Sequence, residues 1–81
     1  MDKKTLDVRG TKCPVPIVKA KLALDALAPG DLLEVVATDG GSVEDFKGWA
    51  ATSKLATLEE QRTDADESGR QIFVHVLKRR G

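Results

Sequence analysis

The residue best suited to chemistry is Cys13, the one cysteine of the chain, in the segment 9–16 that reads RGTKCPVP. A run rich in Ala, Leu and Lys follows, so Pro14 is predicted as the first helical residue, where its fixed φ is favourable and its missing N–H costs nothing. Cys13 then lies at or next to the helix N-cap. The positive end of the helix dipole, with Arg9 and Lys12 nearby, should hold the pKa of the Cys13 thiol below that of an ordinary cysteine.

The first turn of this predicted helix has few backbone donors. Pro14 and Pro16 remove two of the four N-terminal N–H groups, which leaves Val15 and Ile17 as donors. The second proline also stiffens the turn, so that it should project Cys13 outward.

A buried, unreactive thiol is the alternative, because free cysteine often behaves as a small apolar residue. The polar approach through Gly10, Thr11 and Lys12 is typical of an exposed loop and favours a reactive thiol. The residues by themselves leave both interpretations open.

Two motifs together resemble the TusA/SirA family of small sulfur-carrier proteins, from residue 5 to the last strand: Leu6-Asp7-x-x-Gly10-x-x-Cys13-Pro14-x-Pro16 and, after a helix, Pro29-Gly30-Asp31-x-Leu33-x-Val35-x-Ala37-x-Asp39. The resemblance implies a sulfurtransferase-type carrier, in which Cys13 holds a persulfide and hands its outer sulfur to the next protein of a relay. It also implies a cysteine desulfurase or a rhodanese as sulfur donor and a downstream relay protein as acceptor. No cofactor is expected.

The chain departs from the family pattern at one position. Many members have a second cysteine after a Gly-aromatic pair, whereas Ala50 follows Gly48 and Trp49 here. Functions that need two thiols are therefore not expected.

The destination of the sulfur stays open. Family relays serve tRNA thiolation, which would link the chain indirectly to tRNA, and also molybdenum-cofactor assembly and the oxidation of reduced sulfur compounds. One alternative function is a non-catalytic regulatory or protein- or RNA-binding module of the same fold. Another is a redox sensor, although the chain has no resolving cysteine.

Length and composition predict one small domain spanning residues 1–81. The chain is 41% hydrophobic and 32% charged, which is typical of a soluble globular protein. Its 13 basic and 13 acidic residues balance, which argues against strong non-specific binding to nucleic acid or anionic lipid. With no leader and no membrane span, we expect a cytoplasmic protein that is monomeric when free. No metal site is expected, since no ligands cluster at metal-binding spacing.

Hydrophobic periodicity predicts four strands and two helices in the order βαβαββ. The predicted strands are 4–9, 32–38, 55–62 and 71–77, and the predicted helices are 14–27 and one that begins at Ser42 with Asp45 in a capping box. The first two strands should pair in parallel, with 32–38 central and 55–62 at or near an edge. We therefore expect an α+β fold, a two-layer sandwich with both helices on one face of a mixed four-stranded sheet.

Several surface residues allow two interpretations. Val18 and Leu22 form a second apolar strip on the first helix, which we expect to pack on a neighbouring element, with a docking surface as the alternative. Partners should recognise the Cys13 edge through Val15, Lys19 and Arg9.

Four further assignments concern residues without a predicted chemical role. Gly48 is expected to allow close approach of another backbone, and Trp49 to be a core anchor or, as the alternative, a partner contact. His75 has no evident partner and is expected to be a surface or half-buried structural residue. The basic residues 78–80 are expected to be solvated.

Overall fold

The computed structural model describes residues 3–12 and 14–80, so Cys13 lies outside the described part of the chain. The predicted order βαβαββ is confirmed. The elements are β1 (Lys3–Asp7), α1 (Val15–Asp25), β2 (Leu32–Ala37), α2 (Ser42–Thr52), β3 (Ala56–Ala65) and β4 (Gln71–Arg79). Neither helix, in these described ranges, has the length and hydropathy needed to cross a bilayer.

The four strands form one mixed sheet in the order β1-β2-β4-β3. β1 pairs with β2 in parallel, and both β2–β4 and β3–β4 are antiparallel. β2 is thus central and β3 lies at an edge, as predicted. The register of β3 shifts between Leu58 and Glu60, which bends this edge strand and limits pairing with other chains.

Both helices pack on the same face of the sheet. On β2 the burial alternates, with Leu33, Val35 and Ala37 buried beneath the helices. Leu24 of α1 and Phe46 of α2 are fully buried in the same cluster. The predicted two-layer sandwich is therefore confirmed. Alternate side chains of the strand point to one face of the sheet, and the side chains that recur about every 3.6 residues in the helices pack against them.

Neither of the described helices lies over the other face of the sheet, which is its open face. Its apolar residues on β4 are nonetheless almost covered. Glu34 lies on this face with its side chain only 15% exposed, and its carboxylate meets Lys3 at 3.0 Å and Arg62 at 3.2 Å. Hydrogen bonds from Lys3 and then Arg62 lower the pKa of Glu34. Arg62 also reaches Glu60 at 2.8 Å. Residues of β1, β2 and β3 thus form a row of alternating charges that crosses the sheet, in which β4 lies between β2 and β3.

His75 is fully buried, so the expectation of a surface or half-buried residue without a partner was wrong. Its ring stacks on Phe46 at a centroid distance of 4.6 Å. Its Nε2 lies 2.8 Å from Ser42 Oγ, and its Nδ1 lies 3.1 Å from Gln61 Nε2. An amide nitrogen can only donate, so Nδ1 accepts and the ring proton is on Nε2.

Three local predictions need correction. Ser42 is not the N-cap of α2, because Gly41 takes that position and the Ser42 hydroxyl is used by His75. A Cβ on Gly48 would meet nothing within 4 Å, so the expected close approach of another backbone is not found among residues 3–12 and 14–80. Arg79 is not simply solvated, since its Nε donates to the Leu24 carbonyl at 3.1 Å at the end of α1.

We expect the stability of the protein to fall as the pH drops below the pKa of an ordinary histidine. Burial lowers the pKa of His75 from 6.5 to about 4 in the folded state. Between these values the unfolded chain binds the extra proton, so the free energy of unfolding should be ~2 kcal/mol lower at about pH 5 than at about pH 7.5. Urea unfolding at both pH values measures the difference.

The His75→Gln variant is the control for this experiment. Glutamine can donate to Ser42 and accept from Gln61 without titrating, so the variant should lose most of the pH dependence above about pH 5. The same pH dependence in both proteins would contradict the assignment.

Candidate functional site

The segment before Cys13 leaves the sheet at the carboxyl end of β1. Asp7 is opposite Val36 in the parallel register, and the Val8 amide continues the ladder by donating to the Val36 carbonyl at 2.8 Å. The chain after β2, from Thr38 onward, leaves at the same end. Functional sites of α/β structures commonly form where parallel strands end, because the loops of neighbouring strands meet there.

The loop 8–12 is held by a complete set of hydrogen bonds from its first four amides. After Val8, the Arg9 amide donates to Asp7 Oδ1 at 3.0 Å and the Gly10 amide donates to Thr38 Oγ1 at 2.8 Å. The Thr11 amide donates to the Val8 carbonyl at 3.3 Å, and so does its hydroxyl at 2.6 Å. Gly10 has a φ of 80°, which a residue with a side chain adopts only with strain. The loop therefore has a defined shape.

Thr38 was missed by the sequence analysis, although a signal was present. It was the last residue of the predicted strand 32–38 and is the first residue after β2 in the structure, and this strand was predicted to pair in parallel with the first. The first residues after two paired parallel strands lie side by side, so a hydroxyl at position 38 can reach the loop of the other strand.

Helix α1 begins one residue later than predicted. Pro14 is the N-cap, with φ −96° and ψ 11°, and the helix starts at Val15 with Pro16 in the first turn. The Val15 amide, which was expected to be an open donor, donates to the Lys12 carbonyl at 2.9 Å. This hydrogen bond lies before the first turn of the helix and explains the shift. The prediction that Cys13 lies at or next to the N-cap concerns a residue outside the described part of the chain.

The guanidinium of Arg9 lies among carboxylates on the open face of the sheet, while the neighbouring Val8 faces the helices. It donates to Asp7 from Nε at 3.0 Å and from Nη2 at 2.9 Å, which lowers the pKa of Asp7. Its Nη1 is 3.5 Å from Asp66 and 3.7 Å from Glu67. Its charge is thus used within the protein, on the side of the sheet opposite α1.

A shallow cleft of about 320 Å³ opens at the carboxyl ends of β1 and β2. It is lined by two short segments, 10–12 and 38–40. Lys12 is exposed there and brings positive charge to the rim. Lys12, which lines the cleft, directly precedes Cys13 in the sequence.

Helix α1 presents an apolar strip to solvent. Val15, Val18 and Leu22 are 38%, 52% and 66% exposed. The expectation that Val18 and Leu22 pack on a neighbouring element was therefore wrong: at 100° per residue these positions face away from Ala20 and Leu24, which fill the core side. Lys19 is exposed on the same side. Of the other predicted residues, Pro16 is buried and Ile17 packs against the core.

Trp49 is half-buried and packs against the main core, as expected for a core anchor. Among residues 3–12 and 14–80, no group of three or more Cys, His, Asp or Glu side chains is placed to hold a metal ion.

The part of the chain that contains this site is similar to known proteins. The family model described as sulfurtransferase TusA matches residues 4–75, which include the Cys-Pro-x-Pro motif and extend into β4. This chain belongs to the TusA family. The resemblance inferred from the two motifs is therefore confirmed, and TusA membership supports a sulfur carrier role.

Similar proteins of the TusA type come from distant organisms. Sulfur carrier protein TusA of Allochromatium vinosum is 39% identical over 69 residues, 85% of this chain and 86% of that protein. A candidate sulfur carrier protein of Halobacterium salinarum is 43% identical over 76 residues, 94% of this chain and 88% of its own. One from Neisseria meningitidis serogroup A is 44% identical over 64 residues, 79% of this chain and 86% of its own.

We expect Thr38→Val to loosen the loop before Cys13. Valine has a similar shape but leaves the Gly10 amide without its acceptor, which should lower the free energy of unfolding by about 1 kcal/mol. Hydrogen exchange at Gly10 should also accelerate. Thr38→Ser keeps the hydroxyl and is the matched control. If both variants behave alike in unfolding and exchange, the Thr38 hydroxyl does not hold the loop.

Proposed function

We propose that this chain carries sulfur as a persulfide on Cys13. A cysteine desulfurase or a rhodanese would supply the sulfur, and a downstream relay protein would accept it. The observation that carries the proposal is the family match across residues 4–75, within which the chain has a single thiol in the Cys-Pro-x-Pro motif. A chain with one cysteine can hold and pass on sulfur but cannot release it by forming an internal disulfide.

The transfer balances without a cofactor or an external oxidant. The Cys13 thiolate attacks the outer sulfur of the donor's cysteine persulfide, a new S–S bond forms, and the donor's S–S bond breaks with its cysteine leaving as a thiolate. In the second step an acceptor thiolate attacks the outer sulfur on Cys13. The Cys13 thiolate leaves, so a low thiol pKa assists both the attack and the departure.

The ordered loop supports this use of Cys13. Both neighbours of the cysteine belong to defined structure, because Lys12 accepts from the Val15 amide and Pro14 accepts from the Val18 amide at 3.1 Å. A thiol on such a support can meet a partner's sulfur without a large cost in ordering. A reducing compartment such as the cytoplasm would keep the thiol available, and the acceptor pathways proposed are tRNA thiolation, molybdenum-cofactor assembly and sulfur oxidation.

The docking surface we propose is the exposed side of α1, formed by Val15, Val18, Leu22 and the neighbouring Lys19. Large apolar side chains exposed together on one helix are typical of a contact surface. Residue 15 lies two positions after Cys13, so a partner seated on this surface would have its sulfur close to the thiol. The surface consists of only a few side chains. A contact of this size suits a carrier that is monomeric when free and that must dissociate quickly from each partner.

The Cys13→Ser variant should take up no sulfur, because a hydroxyl cannot form a persulfide under these conditions. Intact-mass analysis after incubation with a cysteine desulfurase and cysteine measures the gain of one sulfur atom in the wild type. With the Val15 amide occupied by Lys12, the new hydroxyl has no open donor there, so the thermal midpoint should stay close to that of the wild type. A serine variant that still relays sulfur would overturn the role of Cys13.

Charge reversal in Lys19→Glu should slow loading by a donor about 3- to 10-fold while the thermal midpoint stays nearly unchanged, since surface charges act mainly on association. Lys47→Glu is the matched control, because Lys47 is an exposed lysine on α2 with only a long 3.9 Å pair to Glu44. Loading rates at several donor concentrations measure the effect. Equal slowing by both variants would exclude a specific role for Lys19.

A further inference from the structure

The tip of the β3–β4 hairpin reaches the loop that leads to Cys13. The last pair between β2 and β4 is Ala37 with Phe73, but the hairpin continues to the pair of Ala65 with Gln71. The turn after Ala65 therefore projects beyond the end of β2. There Asp66 Oδ2 faces the guanidinium of Arg9 at 3.5 Å.

The two oxygens of Asp66 have separate partners. Oδ1 accepts from the Ser68 amide at 3.0 Å, the Ser68 hydroxyl at 2.8 Å and the Arg70 amide at 2.9 Å, so it organises the hairpin turn. These bonds, first of all that from the Ser68 hydroxyl, lower the pKa of Asp66. Its side chain is only 7% exposed, so Oδ2 is presented to Arg9 from a fixed turn.

Arg9 joins this turn to the loop 8–12. Its side chain spans Asp7 at the end of β1 and Asp66 on the hairpin, and its own amide is bonded to Asp7. An ion pair at the surface adds little to global stability, because side-chain entropy and solvent screening offset the attraction. What such a contact can change is the fraction of time that the loop 8–12 keeps its hydrogen-bonded shape.

We propose that Asp66 is a positioning residue, which acts through Arg9 to order the loop 8–12 and so to present Cys13 to the sulfur donor. This inference rests on the proposed function. In this proposal Arg9 orders the loop through its contacts with Asp7 and Asp66, whereas the sequence predicted that its charge lowers the pKa of the Cys13 thiol. A loop that is ordered for a smaller fraction of time binds its partner more weakly by that fraction, so the effect should appear in KM rather than in kcat.

The variant that isolates this contact is Asp66→Asn. Asparagine keeps an Oδ1 acceptor for the hairpin turn and replaces the oxygen that faces Arg9 with an amide NH2 group, which cannot accept from the guanidinium. Asp64→Asn is the matched control, since Asp64 lies on the same hairpin and its Oδ1 accepts from the Ala65 amide without any pair to Arg9. Both changes remove one negative charge.

The first measurement is amide hydrogen exchange in the free protein, which does not depend on sulfur transfer. In Asp66→Asn the amides of Gly10 and Thr11 should exchange about 3- to 10-fold faster than in Asp64→Asn, with the β4 amides and the thermal midpoint unchanged. The second measurement is loading by a cysteine desulfurase. The apparent KM for Asp66→Asn should rise about 3-fold at nearly constant kcat.

The outcomes separate the inference from the proposed function. Unchanged exchange at Gly10 and Thr11, or faster exchange with a wild-type KM, would overturn the role of Asp66. In an Arg9→Gln background, Asp66→Asn should add no further loss, and an additive loss would also overturn it. If the wild type itself gains no sulfur, the proposed function fails. The exchange experiment does not depend on that result: unchanged exchange of the Gly10 and Thr11 amides in Asp66→Asn would by itself refute the ordering of the loop by Asp66.

Discussion

The parallel pairing of β1 with β2 is the constraint on which the rest of the site depends. It aligns Asp7 with Val36 and brings the loops after both strands to the same end of the sheet. Only this alignment allows Thr38 to accept from the Gly10 amide across 28 positions of sequence. The crossover through α1 then starts at that end, so the chain leads from the hydrogen-bonded loop 8–12 towards helix α1.

The apolar residues on the two faces of the sheet are shielded from solvent in different ways. One face buries its apolar residues beneath two helices, whereas the other covers them with the row of charges centred on Glu34. Because these charges are paired with one another, the open face offers few free charged groups to a partner in the described part of the chain. The outer side of α1 has the reverse character, with apolar residues left uncovered. This contrast is the reason why we propose the exposed side of α1, rather than the sheet, as the docking surface.

Sequence periodicity was sufficient for most of the fold. The alternation in β4 separates Phe73, His75 and Leu77 from Ile72, Val74 and Val76, and the structure has the same two faces. Periodicity also identified the core side of α1. It could not say what covers the other side, since Val18 and Leu22 have the same pattern whether a neighbour packs on them or not. Helix boundaries were less certain because single hydrogen bonds, such as that from Val15 to Lys12, move them by a residue.

The sequence by itself determined the family, the order of the elements and the identity of the one thiol, because local patterns and a short motif carry that information. Only the tertiary structure decided the partners of the polar residues. His75 meets Ser42 and Gln61, and Arg9 meets Asp66, over separations from 14 to 57 positions that no local pattern records. The physical reason is that a hydrogen bond or an ion pair needs two groups within a few ångströms, and chain folding alone brings such distant groups together.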